Sequence, residues 1–343
     1  MPREYFLVVL TLVAGSVSVA AQEPTIQRRI PRGAVRAYQG QSSAARTERF
    51  SRKIKLGRDG RFSVSNIAGD ITITGGSGDE VSIEAIKQTD GDQQDLARVV
   101  IEVDTSNGRV DVRTIHPSTG RLGAGRTDYV RVDYTITVPV SAEAGARSVS
   151  GNIRVSGVQG VVRAQTVSGR VTTSATPKLE SARTVSGDVD INDIASDRGL
   201  TAGSVSGTLR AKNVKAQSLD LNTVSGDVTI ADATCDRVDA RSVSGRLEYA
   251  GSLVRNGRYD FNSHSGSIRL TLPDTPGFSL TANSFSGSIR SDLPLTIGST
   301  ADRDGGIRRG RGFRSQALQG TFGDGSALLL LRTFSGDIVV SKR

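Results

Sequence analysis

Thr184-Val185-Ser186-Gly187-Asp188-Val189-Asp190-Ile191 decides how this chain is read, because close copies of it recur. The glycines of nine Ser-Gly pairs stand at Gly151, Gly169, Gly187, Gly207, Gly226, Gly245, Gly266, Gly287 and Gly336. The intervals are 18, 18, 20, 19, 19, 21 and 21 residues, then 49. Self-similarity at a period near twenty marks a solenoid. A solenoid presents a long repetitive surface rather than one enclosed pocket. That favours binding or scaffolding over catalysis.

Aligned on the glycine, two residues before it stand Val149, Val167, Val185, Val205, Val224, Val243, His264, Phe285 and Phe334. Two after it stand Ile153, Val171, Val189, Leu209, Val228, Leu247, Ile268, Ile289 and Ile338. Four after it the column is again mostly apolar, from Val155 to Val340. Even spacing in an extended chain puts these columns on one side, and the intervening positions are almost all polar. The pattern predicts a half-buried strand in every coil. Parallel stacking at about 4.8 Å then fuses the columns into one interior. A coil of about twenty residues is too short for a strand plus crossover helix, which needs roughly 30. The expected fold is all-β: a parallel β-solenoid, or single-stranded β-helix, with coils of about 18–21 residues. In this register His264 is expected in a core slot near the C-terminal end. The serines before the glycines, Ser150 to Ser335, would stack as a hydroxyl ladder at a corner, or form a ligand-binding stripe.

Residues 1–21 read as a secretory signal peptide: an apolar run from Tyr5 to Val13, then Val19-Ala20-Ala21 before Gln22. The run is too short to span a membrane, and no other segment could. A basic leader follows over 22–57, without apolar periodicity to about Ala45. Residues 58–140 are β-rich and less regular. Candidate strands are Glu80–Ile86, Val99–Val103, Arg109–Arg113 and Tyr129–Val138, with a loop at Asp90–Asp95. The 82 residues from Gly69 to Gly151 leave room for about four degenerate coils, for a wider or hairpin-bearing cap on the same solenoid, or for a separate small sandwich. Regular coils fill 141–343, interrupted by an arginine- and glycine-rich insertion at about 298–312. A lone Cys235 forms no internal disulfide and reads as a small core residue.

The recurring Thr-Val-Ser-Gly-Asp-Val (Thr184–Val189, Thr223–Val228), the outlying Asn66–Ile71 and the closing Arg332–Ile338 resemble a bacterial exported putative-adhesin family, a domain of unknown function. The resemblance covers roughly Phe62 to Val340. It implies a β-solenoid, an envelope or extracellular location and a surface-binding role. It carries no catalytic residues to transfer.

The chemistry of the outward positions is sparse. The column directly after glycine reads Asn152, Arg170, Asp188, Thr208, Asp227, Arg246, Ser267, Ser288 and Asp337. Its register supplies no pair of close carboxylates of the kind that tunes a glycan-cleaving site. Arg170–Asp188 and Asp227–Arg246 are placed to pair across coils. Arg269 is expected beside Arg290, and with Arg308, Arg309 and Arg311 these form the candidate anion-binding set. Two histidines and one cysteine give no metal-site spacing, and no catalytic motif or cofactor-binding loop occurs. No series of base-stacking aromatics argues for nucleic acid. With a net charge of +9 the expected partners are anionic surface glycan, lipid headgroups or an envelope protein. The expected function is a non-enzymatic, adhesin-like role at the envelope, periplasmic or extracellular. The alternatives are a polysaccharide-acting enzyme and an envelope-sensing protein.

Overall fold

A computed structural model of the chain describes residues 46–116, 130–273, 276–296 and 316–343. The segments expected as a signal peptide, as the first part of a leader and as an insertion at 298–312, with Arg308, Arg309 and Arg311, lie outside the described residues.

Two strands make each coil. One runs into the Ser-Gly pair (Val161–Ser168) and a shorter one leaves it (Val171–Ser174). Each pairs in parallel with its counterpart in the next coil: Val171 with Val189, Leu209 with Val228, Val228 with Leu247. Between coils the chain turns six residues after the glycine. There Gly157, Ala175, Asp193, Asn213 and Asp232 take left-handed φ values of 51–67°. Glycine, asparagine and aspartate are the residues that tolerate this region.

The glycine is required by close approach. A Cβ on Gly207 would overlap the carbonyl of Gly187, and one on Gly226 the carbonyl of Gly207, through the whole stack. Three residues before each glycine sits a buried Ser or Thr whose hydroxyl donates to the glycine carbonyl one coil back. Thr166 reaches Gly151 (3.1 Å), Thr184 Gly169 (3.0 Å), Ser204 Gly187 (3.0 Å) and Ser284 Gly336 (3.0 Å). Ser148 is the exception, because the amide of Asn66 already holds the Gly69 carbonyl at 3.2 Å. One residue after the glycine, Asp or Asn accepts the backbone N–H of the next coil: Asp70 from Asn152, Asp188 from Thr208, Asp227 from Arg246. The repeated motif is thus a set of answers to one question, how a sharp corner satisfies its backbone groups.

The Ser-Gly pair also shifts the side-chain alternation by one. Before it the interior takes the positions seven, five and three residues back, as with Leu219, Leu221 and Thr223. After it the interior takes two and four forward, as with Val228 and Ile230. The position two before the glycine therefore faces outward, against the expectation that even spacing kept it inside. His264 is exposed and fills no core slot. The core is otherwise continuous, with Tyr249, Tyr259 and Phe261 packed edge to face near its C-terminal part. Cys235 is buried there, and burial pushes its thiol up to about 11.

Chain order and stacking order differ at both ends. Strand Ala327–Ser335 lies between Arg258–Ser265 and Phe278–Ser286, so the last coil of the sequence is inserted below the one before it. Likewise Arg61–Ala68 lies between Arg109–Ile115 and Glu143–Ser150. Among the described residues, 58–140 supply two parallel rungs rather than a run of four degenerate coils. Antiparallel strands cover the ends: Val100–Ser106 on Arg109–Ile115, Glu80–Thr89 on Arg131–Pro139, and Gln316–Phe322 on Phe278–Ser286. Strand Arg46–Lys55 pairs with Glu80–Thr89, so the leader assigned through residue 57 ends inside the sheet. The Asp90–Asp95 loop gives way to a short helix, Gln93–Arg98. Covered edges keep a parallel stack from recruiting further strands.

Candidate functional site

The reversed column is the main feature of the surface. In stacking order it reads Ile67, Val149, Val167, Val185, Val205, Val224, Val243, His264, Phe334 and Phe285. The aliphatic members are 42–50% exposed. Ten rungs at about 4.8 Å make a stripe roughly 43 Å long. At its C-terminal end the rings stack face to face, His264 on Phe334 at 5.0 Å and Phe334 on Phe285 at 4.7 Å. A single exposed valine carries no message, but a contiguous apolar strip of several hundred Å² does.

Two polar columns flank it. On one side the serines stack in register and stay exposed, Ser206 beside Ser225 and Ser225 beside Ser244. They form the expected hydroxyl ladder, though the hydroxyls that hold the corners are the buried ones two residues earlier. On the other side, four residues before the glycine, stand Ser65, Arg147, Gln165, Arg183, Gly203, Asn222, Arg241, Asn262, Arg332 and Asn283. That column contains no carboxylate. Arg147, Arg183 and Arg332 have no acidic partner among the described residues. Between the apolar and guanidinium columns runs a trough floored by buried hydroxyls. Around His264, Phe334, Phe285, Asn262, Arg332 and Asn283 it encloses about 440 Å³.

A second concavity of about 320 Å³ lies on the same face, where Gly145 leaves a gap among Arg61, Arg109, Arg147 and Arg163. Three of those guanidiniums are already engaged, Arg61 by Glu143 at 2.8 Å, Arg109 by Asp111 at 2.6 Å and Arg163 by Glu180.

Six residues before the glycine, Asp220, Asp239 and Asp260 stack on consecutive rungs. The close carboxylates missing from the column after glycine are thus present in another column. Burial raises the pKa of Asp239, and the neighbouring Asp260 and Asp220 add to this against Arg241. Arg241 contacts Asp239 and Arg258 lies 3.8 Å from Asp260.

Of the candidate anion-binding set, Arg269 and Arg290 are described. Each pairs in register with Val339 on the inserted strand Ile338–Lys342, so they stand two rungs apart rather than side by side. Arg170 does meet Asp188, at 2.9 Å. Asp188 titrates below the usual carboxylate range because the Thr208 N–H, then Arg170 and Arg210, favour its charged form. Arg246 meets Asp227 through its backbone N–H, while its guanidinium lies 3.6 Å from Glu248. Among the described residues no cluster of metal-ligating side chains occurs, and no helix is long and apolar enough to cross a membrane.

No curated protein matches the chain. Solved structures do. A putative adhesin from Bacteroides fragilis is 11% identical, with a TM-score of 0.43, over 86% of this chain and 97% of that one. A putative adhesin from Parabacteroides distasonis is 14% identical, with a TM-score of 0.36, over 86% and 97%. A putative lipid binding protein from Parabacteroides distasonis is 14% identical, with a TM-score of 0.36, over 65% and 89%. Likeness at that level carries no functional argument. The family assignment rests on the coil motif itself: the Toastrack DUF4097 model matches residues 60–341, and the chain belongs to that family.

Proposed function

We propose that this is a non-enzymatic, exported protein that binds or scaffolds at the cell envelope through the outward face of its pre-glycine strands. The observation that carries the reading is the apolar stripe. Its side chains pack no core, so a polar residue at each position would leave the interior intact. Strand propensity alone does not require valine there, since threonine has the same branched shape. A strip of apolar and aromatic side chains, with His264 its one polar ring, between a hydroxyl row and a row bearing guanidiniums is the form a contact surface takes. Arg269 and Arg290, on the strands that leave the glycine, and the Arg308, Arg309 and Arg311 segment are a further anion contact in this proposal.

The test is co-sedimentation with envelope preparations from the native host. Replacing Val185, Val205 and Val224 with threonine keeps the β-branched shape and removes apolar surface. The triple variant is expected to fold normally and lose most binding. Replacing Arg308, Arg309 and Arg311 with serine isolates the anion contact, which should weaken as salt rises. Undiminished sedimentation of the valine variant would remove the stripe from the account.

A further inference from the structure

We propose that the trough beside the stripe takes a linear acidic polysaccharide, held by carboxylate contacts to its guanidinium row and by apolar contacts to the stripe. The inference rests on the binding function proposed above and names its ligand.

Four features of the trough point to this chemistry. First, its polar wall is selective. The column four residues before the glycine holds guanidiniums, amides, Ser65 and Gly203, while the next column out carries Asp220, Asp239 and Asp260. A wall without carboxylates, facing the apolar stripe, complements an anion. Second, the guanidiniums are available: Arg147, Arg183 and Arg332 have no acidic partner among the described residues, whereas Arg170, Arg210 and Arg241 contact aspartates. Guanidinium forks match carboxylates in two-point contact. Third, the surface is extended. The stripe continues over ten rungs, and beside it guanidiniums return at Arg147, Arg183, Arg241 and Arg332 among amides, as a linear polymer would require and a single small molecule would not. Fourth, the surface is concave where the rings lie, with about 440 Å³ between the His264, Phe334 and Phe285 rings and the Asn262, Arg332 and Asn283 side chains. A planar bilayer needs protruding apolar groups, whereas a strand-shaped ligand can lie in a trough. There Asn262, Arg332 and Asn283 line one side and His264, Phe334 and Phe285 the other. Amides serve sugar hydroxyls, the arginine serves a carboxylate, and ring edges and valine methyls serve the C–H faces of a pyranose.

The experiment uses affinity electrophoresis of the mature chain through polygalacturonate, its fully methyl-esterified form, and dextran. Vesicles of phosphatidylglycerol are assayed in parallel by flotation. The expected result is retardation by polygalacturonate alone, weakening as salt rises. In Arg332→Gln and in Phe334→Ser the affinity should fall at least tenfold, with circular dichroism unchanged. Equal retardation by the methyl ester would overturn the role of charge. Full affinity in both variants would overturn the location. Vesicle flotation without polymer binding would transfer the surface to lipid and end the glycan proposal. Envelope sedimentation that still depends on Val185, Val205 and Val224, with no polymer bound, would sink this inference and leave the function standing. Loss of both would sink both.

Discussion

Replacing Gly207 with alanine tests the packing account most directly. Gly207 does not adopt a left-handed φ, so alanine is acceptable to its own backbone. The objection is the neighbouring coil. The added methyl would overlap the Gly187 carbonyl, far inside the 3.0 Å that real Cβ atoms respect. Relief requires the two rungs to part. Four hydrogen bonds join them at that point: Gly187 N–H to Ser206 O (3.0 Å), Val189 N–H to Thr208 O (3.0 Å), Thr208 N–H to Asp188 Oδ1 (2.9 Å) and Ser204 Oγ to Gly187 O (3.0 Å). Each contributes about 1 kcal/mol, and overpacking strain adds about 1–2, so a loss of about 5–6 kcal/mol is expected if all four break. Gly108→Ala is the control. It has a φ of +71° and nothing within 4 Å of the added methyl, so only the backbone term of about 1–2 kcal/mol applies. Urea unfolding followed by far-UV circular dichroism compares midpoint and slope, because a repeat stack can lose cooperativity at a damaged rung. If Gly207→Ala costs no more than Gly108→Ala, close approach is not what the repeated glycine is for.

Other perturbations follow from the same corner. Thr184→Val keeps the shape and removes the hydroxyl that donates to Gly169 at 3.0 Å; a loss of about 1 kcal/mol is expected, and Thr184→Ser should recover most of it in the same urea assay. Ala175 holds a φ of +51°, so Ala175→Gly should raise stability by about 0.5–1 kcal/mol; a fall would show that the turn is not strained. Asp239 has its pKa raised in the folded state, so its contribution is fully present below the unfolded value and is lost as pH rises through the folded one. Asp239→Asn should therefore gain stability relative to the parent as pH is raised from about 4 through that range, read as the difference between two melting-temperature profiles. Parallel profiles would mean that the aspartate stack exerts no strain.

What could be read in the chain was whatever the coil repeats in sequence. The spacing of Ser-Gly pairs gave the coil length, the columns at Val171, Val189 and Leu209 gave the post-glycine strand, and the Arg170–Asp188 pairing followed from adjacency. The valine column was placed on the wrong face because even spacing preserves sidedness only while the backbone stays regular. The shift at the corner was signalled by two weaker columns, the alternating Ala164, Ala182 and Ala202 and the Ser/Thr three before each glycine. Their small or polar side chains do not announce an interior. The Asp220–Asp239–Asp260 stack is hidden for the same reason: six residues before the glycine, even spacing assigns those positions to the interior, and the shift at the corner turns them outward.

The sequence by itself determined the unit: one bend, two strands, one buried hydroxyl, one carboxylate or amide serving the next coil. Those are local requirements of backbone geometry and hydrogen bonding, so they recur wherever the motif does. Only the tertiary structure decided which rung lies on which. The coil bearing Gly336 slips between those bearing Gly266 and Gly287 because every rung offers the same parallel edge, and sequence order imposes no preference among equivalent edges. That insertion brings Phe334 between His264 and Phe285, and Arg332 between Asn262 and Asn283. The ring-lined part of the proposed site therefore exists only in the stacked molecule.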